Sequence, residues 1–246
     1  LEGLEAHLEG ADALCHLAGP VAGTAKALPF ESARLQMSGT LNALEACRRV
    51  GVKKFLLASS FYTYSGVPAE REVDEEAALA LPANELFAAL KHSAERLTRS
   101  FADSAGLSSV ILRYGSVYGP GVGSNAVRQM LDEGAAGRSI VVWGEGRRRN
   151  QYTFVDDVAR GTVSALRAEP GVYNLISEEV TTTAELARLL GRRFGSSPVF
   201  DAKRLEAPSM PFMSSRKARA KLAWTATPLA EGVEQTAASL GIRLAL

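Results

Sequence analysis

Residues 53–66 read KKFLLASSFYTYSG. A cationic pair opens the stretch, Phe55-Leu56-Leu57-Ala58 runs on without a polar interruption, and Ser59 and Ser60 end it before a tyrosine-flanked loop. A short, continuous apolar run bounded by polar residues predicts a strand buried on both faces of a parallel sheet. In open parallel sheets the chemistry collects beyond the carboxyl ends of the strands. Ser59 and Ser60 therefore mark the expected site edge.

Upstream, residues 29–50 place Met37, Leu41, Leu44 and Cys47 on one helical face, and Gly51 stops the helix. Residues 11–17 (ADALCHL) read as a buried strand that ends at Ala18-Gly19-Pro20, where a glycine lets a ligand or another backbone approach closely. His16 reads as a packed side chain of that strand. Leucines 1, 4 and 8 have the spacing of a short helix.

Downstream, residues 66–80 are polar and acidic without periodicity, which predicts a surface loop with solvated charges. After Pro82 a helix is expected from Asn84 to Ala102, with Leu86, Leu90, Leu97 and Phe101 as its core stripe. Phe87 and Lys91 form a second, adjacent i,i+4 pair. Residues 108–114 are a third strand, followed by a glycine-rich turn that lacks the spacing of a P-loop. A helix over 126–133 and a strand over 139–143 lead to GEGRRRN at 144–150. Its three arginines are either an exposed charge run or a grip on an anionic substrate.

A strand over 152–155, a helix capped by Asp156-Asp157, a strand over 171–176 and a helix opened by Thr181-Thr182-Thr183 follow. From Pro198 the chain reads as irregular until a final helix over 228–240. Strands alternating with helices across short joins predict right-handed βαβ units and a parallel sheet.

Composition narrows the function. Of 246 residues, 46% are hydrophobic and 22% charged, ordinary values for a globular chain with enough length to bury a core. Twenty-eight basic against 27 acidic residues give a net charge of +1, so no global field points to nucleic acid. No apolar run approaches the ~18 residues of a membrane span, and no signal-peptide pattern opens the sequence. Cys15 and Cys47 lie in apolar segments and read as buried thiols of a cytoplasmic protein. No metal site is expected.

HLAG at 16–19, ASSFYTY at 58–64, FAALK at 87–91, LRYGSVYGPG at 112–121, GEGRRRNQYTFVDDVARG at 144–161 and KARAKLAW at 217–224 occur in that order. Together they resemble the extended short-chain dehydrogenase/reductases, specifically the NAD(P)-dependent sugar epimerase/dehydratase group. The resemblance spans essentially the whole sequence. It implies a Rossmann-like, doubly wound parallel sheet over residues 1–143 and a smaller substrate-binding lobe over residues 144–246, with segments returning to the core. It further implies NAD or NADP as cofactor, a small sugar-like or nucleotide-sugar substrate, and a homodimer through the Phe87–Lys91 helix and the one before it.

In that family a Ser/Thr at the strand end, a Tyr, and a Lys one helical turn later form the catalytic set. A nearby ammonium lowers the ~10 pKa of a phenol by stabilising the phenolate, and a serine hydroxyl holds the substrate oxygen within reach. Carried onto this sequence, Ser60 is the Ser/Thr and Lys91 the lysine, but the tyrosine position is Phe87, which has no proton to transfer. Tyr62 or Tyr64 in the adjoining loop is a candidate replacement, as is the Lys91 amine. Ala18, Gly19, Ala58, Ser59, Lys91, Tyr114 and Val117 are implied to face the cofactor; Ser60, Ser116, Arg149 and Asn150 are implied to face the substrate. Other positions depart as well: Gln36 and Ser116 stand where the family often has Asn. Asn150 takes the place of the arginine that grips a sugar-nucleotide diphosphate, with Arg149 beside it as a stand-in.

The glycine-rich turn that binds the cofactor pyrophosphate in this family is not found before His16, and the first residue is Leu. The family's first strands are expected to precede Leu1; the alternatives are another chain covering the edge of the 11–17 strand, or a fold that has been cut down. Three functional readings follow: an NAD(P)-dependent enzyme with an atypical active site, a non-redox enzyme on the same scaffold, and a non-catalytic binding protein.

Overall fold

A computed structural model describes residues 3–80, 85–123 and 125–244. The run read first as a strand is one: Lys54–Ser60 sits inside a four-stranded parallel sheet ordered Ala13–His16, Lys54–Ser60, Ser108–Tyr114, Gly171–Leu175. Successive side chains of a strand point to opposite faces, and both faces here are covered. Phe55, Leu57, Ile111 and Val172 pack against Ala43, Leu44 and Cys47 of the helix Pro29–Val50 and Ala94 and Ala102 of the helix Leu86–Ala105. On the other face Leu56, Val110, Leu112 and Leu175 meet Ala165 of the helix Val155–Ala165, Ala218 and Leu222 of the helix Arg216–Leu222, and Trp224. Burial on both sides is why the strand lacks polar alternation. The fold is the expected doubly wound α/β arrangement.

A separate apolar cluster lies toward the C-terminal half. Tyr118, Tyr152 and Phe154 pack there with Val127, Leu131, Leu186, Leu190 and Val233. The helix Thr183–Arg193 opens with a capping box, in which Thr182 Oγ1 accepts from the Glu185 amide and the Glu185 carboxylate accepts from the Thr182 amide.

Several local expectations are corrected. The buried line of Pro29–Val50 runs through Ser32, Gln36, Thr40, Ala43, Leu44 and Cys47, leaving Leu41 39% exposed. In Leu86–Ala105 the buried face takes in Phe87, Ala88, Leu90, Lys91, Ala94, Glu95, Thr98 and Ala102, so Leu90 of the expected stripe is buried, Phe101 packs against the core from its edge, and Leu86 and Leu97 are only half-buried. The proposed start of that helix at Asn84, with Pro82, lies outside the described residues, as does Leu1. Asp157 does not cap its helix; it is fully buried and accepts hydrogen bonds from the Thr227 amide and hydroxyl. The loop over 66–80 is not wholly solvated either. Glu75 is buried and accepts from the Asn174 amide, 2.7 Å, while Glu72–Val73 pairs with Phe212–Met213. That pairing, the strand Val199–Asp201 beside Val141–Trp143, and the helix Arg216–Leu222 give order to a region that reads as irregular.

Candidate active site

The carboxyl ends of Lys54–Ser60 and Ser108–Tyr114 open onto a cleft of about 750 Å³. Ser60 closes its strand and caps the single 3₁₀ turn Phe61–Tyr64, its Oγ accepting from the Tyr62 amide at 3.3 Å. The Ser59 hydroxyl is directed differently, donating to Glu95 at 2.5 Å. From the helix Leu86–Ala105, one turn brings Phe87 and Lys91 to the cleft together. Lys91 Nζ donates to the Ala58 carbonyl at 3.1 Å. Burial disfavours its charge and lowers its pKa to about 8, against a smaller opposing pull from Glu95. The ammonium lies 5.8 Å from the centre of the Phe87 ring, and the Tyr62 ring meets Phe87 edge-on at 5.4 Å.

Gly19 has a steric reason. A Cβ there would fall 2.7 Å from Gln36 Oε1 and 3.2 Å from Lys91 Nζ. Gln36 is buried, its amide nitrogen donating to Thr40 at 3.2 Å, but its Oε1 has no partner. A buried unpaired carbonyl oxygen beside a buried cation marks a place prepared for polar ligand atoms. His16 lies behind this corner, packed on Phe55 and within 3.4 Å of Thr40 Oγ1; burial lowers its pKa, with Lys91 adding to the effect.

Of the residues singled out in the sequence, Ser59, Ser60, Ala58, Phe87, Lys91, Gly19, Tyr114, Ser116, Val117 and Asn150 all line the cleft. Three residues do not behave so. Ala18 is exposed and its neighbours Leu17 and Gly19 line the cleft instead. Tyr64 is wholly buried away from it, its hydroxyl donating to Asn174 Oδ1 and accepting from Arg113 at 2.7 Å. Arg149 turns outward, its guanidinium donating to the Ala69 carbonyl at 2.8 Å.

Of the three arginines offered by the sequence as an anion grip, Arg148, and not the Arg149 singled out among them, is the one at the cleft. The signal was available: in extended chain, alternate residues share a face, so Arg148 and Asn150 point one way and Arg149 the other. The Arg148 Nε is buried without a hydrogen-bond partner. Arg148, Asn150, Tyr152 and Asn125 also border an adjoining cavity of about 350 Å³, which Trp143 lines as well. Asn125 caps the helix Ala126–Ala135 there, accepting from the Arg128 amide at 3.0 Å. A guanidinium and a helix N-terminus at one cavity favour an anion.

No group of three or more His, Cys, Asp or Glu among the described residues could hold a metal ion. No helix among them is long and apolar enough to cross a membrane.

Known proteins share this architecture. The chain is 29% identical over 193 residues to a UDP-glucuronate 4-epimerase of Thermodesulfobacterium geofontis, a match covering 76% of this chain and 55% of that protein. It is 30% identical over 212 residues to a dTDP-4-dehydro-6-deoxy-D-allose reductase of Streptomyces, covering 80% and 63%. It thus spans between half and two thirds of the length of these two relatives. Among solved structures it is similar to UDP-glucose 4-epimerase of Thermotoga maritima with UDP-glucose, at TM-score 0.85 and 26% identity, covering 94% of this chain and 77% of that one. UDP-glucose 4-epimerase of Thermus thermophilus, in complex with NAD, gives TM-score 0.80 and 26% identity over 94% and 78%. The family model described as NAD dependent epimerase/dehydratase matches residues 2–175. That match takes in the strand ends, Ser60, Phe87 and Lys91 alike, and by it the chain belongs to the NAD dependent epimerase/dehydratase family.

Proposed function

We propose that the protein is an NAD(P)-dependent enzyme of the epimerase/dehydratase type, acting on a nucleotide-linked or similar sugar metabolite with an atypical proton-transfer site. The observation that carries the proposal is the convergence of Ser60, Lys91 and the residues after Tyr114 on one cleft, beside a second cavity that holds an unpaired arginine nitrogen.

The residues present fit the nicotinamide end of the cofactor. The unpartnered Gln36 Oε1 and the Lys91 ammonium offer an acceptor and a donor at a corner that only a glycine leaves open. When bound, the nicotinamide supplies or accepts a hydride. Lys91 would hold ribose hydroxyls from the cleft floor. Ser60 would orient a substrate oxygen, since its Oγ accepts from the Tyr62 amide and keeps its own proton to give. Arg148 and the Asn125-capped helix would hold the anionic end of the substrate.

The supply of Arg148, Asn150 and Tyr152 from beyond residue 143 supports assigning 144–246 to a substrate lobe and 1–143 to the dinucleotide-binding core. A homodimer through Pro29–Val50 and Leu86–Ala105 accords with the exposure of Phe30, Leu35 and Leu41 on the first of these helices. A cytoplasmic location belongs to the same proposal.

The test is nicotinamide absorbance during incubation with UDP-glucose, UDP-glucuronic acid and a dTDP-4-keto sugar. Turnover-linked absorbance change or epimerised product supports the proposal. Phe87 favours one second reading, a binding protein that keeps the scaffold; it predicts calorimetric binding of a nucleotide sugar with no product from any of the three.

A further inference from the structure

Phe87 leaves the proposed chemistry without its phenol, and the cleft contains three others, Tyr62, Tyr114 and Tyr152. Two are committed elsewhere. The Tyr114 hydroxyl is 2.9 Å from Thr162 Oγ1, and burial, its main influence, pushes its pKa up to about 12. The Tyr152 hydroxyl accepts from the Asn150 amide at 3.1 Å, and burial raises its pKa as well. The Tyr62 hydroxyl has no hydrogen-bond partner among the described residues, and the side chain is part-exposed in the cleft.

Its placement is also fixed. Tyr62 lies in the 3₁₀ turn that Ser60 caps, so its backbone amide and the Ser60 hydroxyl are bonded directly. Its ring stands edge-on against Phe87, 83° from coplanar, and the Lys91 ammonium approaches that same Phe87 ring. Two positions of the family's catalytic set therefore touch Tyr62, Ser60 through a hydrogen bond and residue 87 through a ring contact, and Lys91 lies one contact further on, against the Phe87 ring.

We propose that the Tyr62 hydroxyl makes the proton transfer that residue 87 cannot. The inference rests on the nicotinamide-dependent reading above. A substrate hydroxyl would give its proton to the Tyr62 phenolate, and the nicotinamide, when bound, would supply the acceptor for the hydride on the same carbon, so that a carbonyl is left. In the reverse direction the Tyr62 phenol would return the proton to the carbonyl oxygen, with the hydride supplied by the reduced cofactor.

The test compares wild type, Tyr62→Phe and Tyr62→Phe/Phe87→Tyr, all as the full chain. Thermal melting should be the same for wild type and Tyr62→Phe, because the lost hydroxyl has no partner in the fold. General acid–base groups contribute about 10²–10⁴-fold, so kcat should fall by at least ~100-fold in Tyr62→Phe with calorimetric affinity for the nucleotide sugar within about threefold. The double variant should recover at least ~10-fold of that loss. A second readout needs no turnover: N-acetylimidazole should acetylate Tyr62 in the free protein, read by peptide mass, and a binding nucleotide sugar from the three named above should protect it. An active wild type with an unaffected Tyr62→Phe, or a Tyr62 that stays reactive under bound sugar nucleotide, overturns this inference and leaves the enzyme reading standing. A wild type that neither binds nor turns over any of the three overturns both.

Discussion

Arg113 and Glu95 meet through two parallel hydrogen bonds of 2.9 and 2.8 Å, each side chain only 1% exposed. Glu95 also accepts from Ser59, and Arg113 donates to Tyr64, so the pair ties the site strand to the turn that follows it. Removing one partner of such a pair strands the other charge in the interior, which costs roughly 3–5 kcal/mol. Arg113→Met should lower stability by that amount in chemical denaturation. The double variant Arg113→Met/Glu95→Gln should recover part of the loss, because no lone charge remains. Equal loss in both would overturn this account.

Lys91 should show its burial in the pH dependence of stability. Its folded pKa of about 8 lies below the ordinary 10.5. The unfolded chain therefore binds more protons between those values, and stability rises with pH there. At pH 7 the lysine is charged in both states and the folded state bears the full cost, roughly 3 kcal/mol at ~1.4 kcal/mol per pKa unit. Lys91→Met should be more stable than wild type at pH 7, with the difference shrinking from pH 8 to 10.5. Paired denaturation series at several pH values check the sign.

Arg148 and Arg149 are sequence neighbours with opposite surroundings. Arg148→Met should weaken nucleotide-sugar binding by about tenfold or more, the scale of a lost charge-assisted hydrogen bond to a phosphate. Arg149→Met should change it less than about twofold, since that guanidinium bonds the Ala69 carbonyl. Isothermal titration of both variants with UDP-glucuronic acid decides it; the reverse order would place the anion elsewhere.

Tyr64→Phe should cost about 1–3 kcal/mol of stability, because Arg113 and Asn174 lose a buried partner. Its kcat should stay within about twofold of wild type. A large kcat loss with unchanged stability would return Tyr64 to the chemistry.

The sheet was legible because its strands are buried on both faces and so read as uninterrupted apolar runs, Phe55 to Ala58 and Val110 to Leu112. The helix faces were less so. Leu41 looks like a core residue, yet it is 39% exposed, and small residues, Ala43, Ala94 and Ala102, share the buried faces with Leu44 and Cys47 while Phe101 packs only at the edge of the cluster. Glu75 and Asp157 look solvated because their partners, Asn174 and Thr227, are 99 and 70 residues away in sequence. Ser60 was legible from its place at a strand end and Lys91 from the family resemblance, whereas Gln36 beside Gly19 depends on the packing of a helix against a strand end. Arg149 was misplaced for a simpler reason, lying one residue out of phase with Arg148 and Asn150, whereas Tyr64 follows Tyr62 by two residues of a 3₁₀ turn and so leaves the turn in another direction.

The two tryptophans of the chain divide the protein between them. Trp143 is 47% exposed on the wall of the smaller cavity, with Arg204 stacked at 5.3 Å, whereas Trp224 is 4% exposed and donates from its indole nitrogen to the Asp157 carbonyl. Indole emission follows local polarity, so ligand entry should perturb the first and loss of the packed interior the second. With Trp143→Phe and Trp224→Phe as single-emitter versions, one fluorimeter trace would report occupancy and the other integrity. The chain thus contains its own optical means of telling a variant that cannot bind from one that cannot fold.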